Sequence, residues 1–209
     1  SELILYFFYK NIVFTIPQLY FAFISDFSAQ TVFDDYYISF YNLFFTALPI
    51  GARALWEKDI DYKMYNEDDK RQNVKDLYPY LYYVGQRAII FTKTNYIIWT
   101  GSGILQALVI FLVNYFLFKD AIITESGDTS GHWLWSITMF TSVIITVNMR
   151  LLITHRWLNF LNLLCIFVLS ILLYYVYTWI ANYGTIWSWT LYTSIKLHQT
   201  PLFYLSVIF

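Results

Sequence analysis

The stretch YFFYKNIVF, residues 6–14, decides the fold class. All of it except Lys10 and Asn11 is aromatic or aliphatic, and the run stays largely apolar to Ile24. A helix needs ~20 mostly apolar residues to cross the ~30 Å hydrocarbon core of a bilayer. Residues 3–24 meet that length. An ammonium and an amide inside such a run need a reason, because ionisable groups at membrane depth usually line a pathway.

The composition of the whole chain fits a membrane setting. Of 209 residues, 58% are hydrophobic, 22% aromatic and only 13% charged, with mean hydropathy +0.49. Soluble domains carry about 25% charged residues. Half that charge with several long apolar runs points to a polytopic membrane protein. A net charge of −1 provides no basic surface for nucleic acid. Cys165 is the single cysteine, so no internal disulfide can form. The chain opens on Ser1. Its first apolar run is too long for a signal-peptide core and lacks a small-residue cleavage site, so we expect the N-terminus to be a cut edge.

These runs predict an all-α transmembrane bundle forming a single domain over residues 1–209. Spans are expected at about 3–24, 36–56, 95–118, 133–154 and 157–180, with a partial sixth at 201–209. Pro201 suits the first turn of that last helix. The stretch TIWSWTLYTSIKLHQT, residues 185–200, is aromatic but interrupted by polar groups, as interfacial segments are. Segment 57–94 holds Lys58, Lys63, Lys70, Arg71, Lys75, Arg87 and Lys93, and Arg150 and Arg156 flank the turn after the fourth span. Segments 25–35 and 119–132 contain only Lys119, against Asp26, Asp34, Asp35, Asp120, Glu125 and Asp128. The positive-inside rule therefore makes 57–94 a cytosolic loop and 119–132 exoplasmic.

Polar residues form stripes on the first two helices. Asn11, Thr15 and Gln18 are spaced i, i+4, i+7, with Lys10 beside them. Ser39, Asn42 and Thr46 are spaced i, i+3, i+7, and Pro49 and Arg53 continue that side. A short connection makes the helices antiparallel neighbours, so the stripes are expected to face each other. Two readings stand: interhelical hydrogen bonds that hold a bundle together, or the wall of a polar path. Lys10 lies 14 residues before Ile24, roughly 21 Å below the outer end at ~1.5 Å per residue. It can either snorkel to the cytosolic headgroups or hold a charge in a pathway. Arg53 and Lys58 read as interface anchors. Pro17 and Pro49 are expected to kink their helices and free carbonyls. Gly103 and Ala107 form a small-xxx-small packing face. His132, His155 and His198 are too scattered for a metal site. Glycine-rich phosphate loops, HExxH and GxSxG are absent from the sequence, so no catalytic residue is assigned.

Four stretches together resemble one family. FFYKNIVFTIPQLYFAF (7–23) and FSAQTVFDDYYISFYNLFFTALPI (27–50) are similar to the fifth and sixth membrane helices of the type-IV P-type ATPases, the phospholipid flippases. DLYPYLYYVGQ (76–86) resembles that family's Tyr-Pro-x-Leu-Tyr-x-x-Gly-Gln segment, and TPLFYLSVIF (200–209) resembles the opening of its last helix. Asp26, Tyr204 and the pair Ala52–Arg53 depart from the usual pattern.

The resemblance implies the fifth to tenth membrane helices of an enzyme that moves phospholipid from the exoplasmic to the cytosolic leaflet. It implies ATP and Mg²⁺ for the parent, the remaining ATPase domains and a membrane accessory subunit as partners, and a plasma, Golgi or endosomal membrane. It places Lys10 and Asn11 near the headgroup path, with Asn42 a contributor by position. Thr15 and Thr46 join these as path candidates from the stripes. The Asp-Lys-Thr-Gly phosphorylation motif is not in the sequence. The isolated chain is therefore expected to be inactive as an ATPase. The alternative is a free-standing scaffold or complex subunit derived from this half, without transport.

Overall fold

The computed structural model describes residues 2–57, 79–87, 89, 91–119, 131–183 and 193–208. Most of loop 57–94, the segment 120–130 and residues 184–192 lie outside the described residues. The expectations for those stretches fall outside with them.

Every regular element among the described residues is helical. In order they are α1 (Glu2–Ile24), α2 (Asp35–Phe40), a π-turn (Tyr41–Phe45), α3 (Ala47–Trp56), α4 (Pro79–Gln86), α5 (Lys93–Phe118), α6 (His132–Thr154), α7 (Phe160–Ile166), a second π segment (Phe167–Leu172), α8 (Leu173–Tyr183), α9 (Thr193–Gln199) and α10 (Pro201–Ile208). Local chemistry sets several starts. The Asp34 carboxylate accepts the Tyr36 N–H at 2.9 Å and caps α2, and the Thr92 hydroxyl accepts from Asn95 N at the start of α5. Pro201 opens α10, where its missing N–H has no cost.

Helix α6 is the hub, with 14 of its 23 residues buried. It packs against α1, α5, α9 and α10, while α1 lies along α5 and α3 along α7. Gly103 permits the α1–α5 approach: a Cβ there would sit 3.2 Å from Ile12 Cγ2 and 3.3 Å from Tyr9 Cδ2. Ala107, one turn on, is fully buried. The expected close-packing face is present. The core is aromatic: Phe14 stacks on Tyr41 at 4.3 Å and on Phe33 at 5.3 Å, and Phe140 of α6 meets Phe33 and Tyr37 edge-on. Such pairs contribute ~0.5–1.5 kcal/mol each beyond their buried area.

Among the described residues three helices are long and apolar enough to cross a membrane: Lys93–Phe118, His132–Thr154 and the continuous run Phe160–Ala181. Helix α1 has the length, but Lys10, Asn11, Gln18 and its tyrosines dilute its apolar character. The second apolar segment is divided into shorter helices by the π-turn. Large apolar side chains face outward, among them Phe116 at 71% exposure and Phe160 at 76%. An exterior of this kind suits hydrocarbon rather than water.

Candidate functional site

Lys10 does not snorkel. It is 2% exposed, and its ammonium donates to Thr46 Oγ1 at 2.8 Å. The same nitrogen lies 5.2 Å from the centre of the Phe7 ring and 5.8 Å from that of Tyr41. The Tyr41 hydroxyl donates to the Lys10 carbonyl at 2.9 Å, closing the contact between the two segments. The Thr46 hydroxyl donates to Tyr41 O at 2.7 Å, so its oxygen is left to accept from Lys10. Among the described residues the ion pairs involve Arg53 and Arg156, and Lys10 has no carboxylate partner. Burying an ammonium costs several kcal/mol unless it is paired and hydrogen-bonded. One neutral hydroxyl and two ring faces compensate only part of that.

The remaining candidates lie elsewhere. Asn11 is half-buried, and Thr15 and Asn42 are exposed, none of them with a hydrogen bond to Lys10 or Thr46. Ser39 is exposed and donates to Asp35 O within its own helix at 2.9 Å. The π-turn explains the division on the second segment. One residue more per turn over Tyr41–Phe45 rotates the rest of the segment by about one residue, ~100°. Ser39 and Asn42 therefore part from Thr46, Pro49 and Arg53, which are buried. The i, i+3, i+7 stripe holds for a regular helix and fails across the bulge. On α1, Lys10 turns toward the second segment, while in the stripe beside it Thr15 is exposed and Asn11 and Gln18 are half-buried.

Arg53 is no interface anchor. It is 3% exposed and donates to Glu57 Oε2 at 2.6 Å, Glu2 Oε2 at 3.3 Å, Thr154 Oγ1 at 2.9 Å and Thr154 O at 3.0 Å. Arg156 completes the cluster, giving its backbone N–H to Glu57 Oε1 at 3.0 Å and its guanidinium to Glu2 Oε1 at 2.9 Å. The start of α1, the end of α3 and the α6–α7 turn are thus tied by charge. Burial pushes the Glu57 carboxyl up, but the bonds from Arg53 and Arg156 outweigh it and hold the group below its usual range. Burial holds the neighbouring His155 imidazole down, against the pull of Leu151 O, which accepts its Nδ1–H at 2.7 Å. Lys58 lies outside the described residues.

Sequence reasoning missed three other members of the surroundings. Tyr41, Asn148 and Ser170 are all buried and all bonded around the π-turn. The available signal was Pro49, whose missing N–H leaves a carbonyl one turn earlier without its usual donor. Cavities of about 270 and 460 Å³ lie at Phe21, Tyr115 and Trp135 and at Phe167, Tyr175 and Trp179, away from Lys10.

Comparison with known proteins gives this arrangement a context. A family model described as the phospholipid-translocating P-type ATPase C-terminal region matches residues 1–209. Phospholipid-transporting ATPase IH of Mus musculus is 34% identical over 193 residues, covering 92% of this chain and 15% of that protein. Phospholipid-transporting ATPase ID of Homo sapiens is 33% identical over 153 residues, covering 73% of the chain and 12% of the relative. A probable phospholipid-transporting ATPase 4 of Arabidopsis thaliana is 31% identical over 184 residues, covering 88% and 14%. The chain thus spans about 12–15% of the length of these relatives. With the whole chain matched, and with an all-helical fold whose outer surface is apolar, it belongs to the C-terminal membrane regions of the phospholipid-translocating P-type ATPases.

Proposed function

We propose that this chain forms the membrane path of an ATP-driven phospholipid flippase, carrying lipid from the exoplasmic to the cytosolic leaflet, and that Lys10 with Thr46 meets the headgroup. The observation that carries the reading is a buried ammonium with a hydroxyl partner and no carboxylate among the described residues. A lipid phosphate would supply the missing anion. Charge-assisted hydrogen bonds to it are stronger than neutral ones, and they replace water lost from the headgroup while the acyl tails stay in lipid. Asn11, Asn42 and Thr15 border the path in this proposal, facing whatever packs on the outer sides of the first two spans.

In the full reading the chain is a single transmembrane domain of five spans and the start of a sixth, with 57–94 in the cytosol. It works joined to the phosphorylation and nucleotide-binding parts of the ATPase, which bring ATP and Mg²⁺, and alongside a membrane accessory subunit. The test is ATP turnover against phospholipid concentration for the full-length ATPase in nanodiscs. Lys10→Leu should raise the half-activating lipid concentration about tenfold or more, the scale of one lost charged hydrogen bond. Lys10→Arg should also shift it, since a planar guanidinium does not reproduce a compact ammonium. Unchanged curves for both variants would leave Lys10 a structural residue and overturn its role at the headgroup.

A further inference from the structure

The peptide link between Phe45 and Thr46 is gripped at both ends. In an α-helix Phe45 O would accept the N–H of residue 49, but that residue is Pro49 and has none. The donor comes from another helix. Ser170, fully buried in the π segment Phe167–Leu172, gives its hydroxyl proton to Phe45 O. Ser170 Oγ in turn accepts from Asn148 Nδ2 of α6 at 2.9 Å, and the second N–H of that amide goes to Ile144 O at 2.9 Å. At the other end of the link, Thr46 N–H donates to Tyr41 O at 3.2 Å. A peptide unit is planar, so fixing its C=O and its N–H fixes the plane from which the Thr46 side chain departs. That side chain is the one facing Lys10.

We propose that Ser170 and Asn148 are positioning residues for the lipid path: they hold the Phe45–Thr46 peptide so that the Thr46 hydroxyl is presented to Lys10. The proposal rests on the reading of Lys10 and Thr46 as headgroup contacts. The two π segments pack on each other, which brings the Ser170 hydroxyl to a carbonyl that an unbroken second helix would not expose. Removing the hydroxyl leaves that carbonyl without its donor and frees the plane to rotate. Simple helix-to-helix adhesion predicts something different, a loss of stability with lipid response unchanged.

The experiment measures lipid-stimulated ATP turnover and thermal unfolding of the full-length ATPase in nanodiscs. The variants are Ser170→Ala, Ser170→Thr, Thr46→Val and the Ser170→Ala/Thr46→Val pair. Ser170→Ala should raise the half-activating lipid concentration about three- to tenfold, the effect of one lost hydroxyl bond, with maximal turnover within about twofold. Ser170→Thr keeps the hydroxyl and should restore the wild-type value. The double variant should be no worse than Thr46→Val alone, because both act through one contact. If Thr46→Val shifts the curve while Ser170→Ala is silent, or adds its full factor in the double variant, the positioning role is wrong and the headgroup reading survives. If Thr46→Val is itself silent, the headgroup reading falls and the positioning role with it. Should Ser170→Ala fail to assemble, Ser170→Cys keeps the volume, weakens the donor and is read by the same criteria.

Discussion

Arg53 brings a planar set of donors to the point where three chain segments meet, and four of its bonds fall on acceptors from all three. Replacing it with Met removes the donor to Glu57 Oε2 and to the Thr154 carbonyl, while Glu57 Oε1 keeps the Arg156 N–H. We expect Arg53→Met to cost about 2–4 kcal/mol in unfolding, and Arg53→Lys to recover part of it, because one ammonium cannot span the fork. Denaturant unfolding in detergent measures both. The same cluster has a pH signature. Glu57 binds its proton less readily folded than unfolded, so its contribution is present above the ordinary glutamate range and is lost as pH falls through its lower folded value. His155 is likewise harder to protonate when folded, and its contribution fades as pH drops below about 6.5, the usual histidine value. Melting temperature should decline from neutral pH in two stages, and Glu57→Gln should remove the more acidic one. An acid limb identical in Glu57→Gln and wild type would contradict this. Lys10 as an anomaly was legible from its place in an apolar run. The buried role of Arg53 was not, since its partners Glu2 and Thr154 are far away in the chain.

Two departures from regular helix geometry position the candidate site. The π-turn parts Asn42 from Thr46, and Pro49 leaves a carbonyl for Ser170 to fill. Proline is visible in a sequence, whereas a one-residue bulge is a compromise among packing contacts and leaves no periodic mark. This is why the stripe of Ser39, Asn42 and Thr46 was readable as spacing but not as a shared face. The α1–α5 seam was more legible, because small residues four apart have one main use between membrane helices. Gly103→Ala should cost about 1 kcal/mol or less if Ile12 and Tyr9 yield a few tenths of an ångström. Gly103→Leu should cost about 1–3 kcal/mol by overpacking. Equal stability of the leucine variant and wild type would show that the two helices do not approach closely in the membrane.

At the scale of the molecule, composition alone indicated a membrane bundle, and the apolar exterior along α5 and the Phe160–Ala181 helix carries that character into three dimensions. Orientation rests on where the basic residues fall. In a Cys165→Ala background, Asp68→Cys should react with a membrane-impermeant thiol reagent only from the cytosolic side, and Gly127→Cys only from the exoplasmic side. The reverse pattern would invert the proposed path. What composition could not supply was how the polar residues are shared among helices, which depends on α6 as a hub that no periodicity announces. The central claim, that lipid passes by Lys10 and Thr46, is tested most directly by transport itself. Full-length ATPase is reconstituted with a fluorescent phospholipid, and ATP-dependent loss of label from the exoplasmic-equivalent leaflet is followed with an impermeant quencher. Lys10→Leu should move lipid about tenfold more slowly than wild type, or slower still, while still forming its phosphorylated intermediate. Equal initial rates for the two proteins would contradict it.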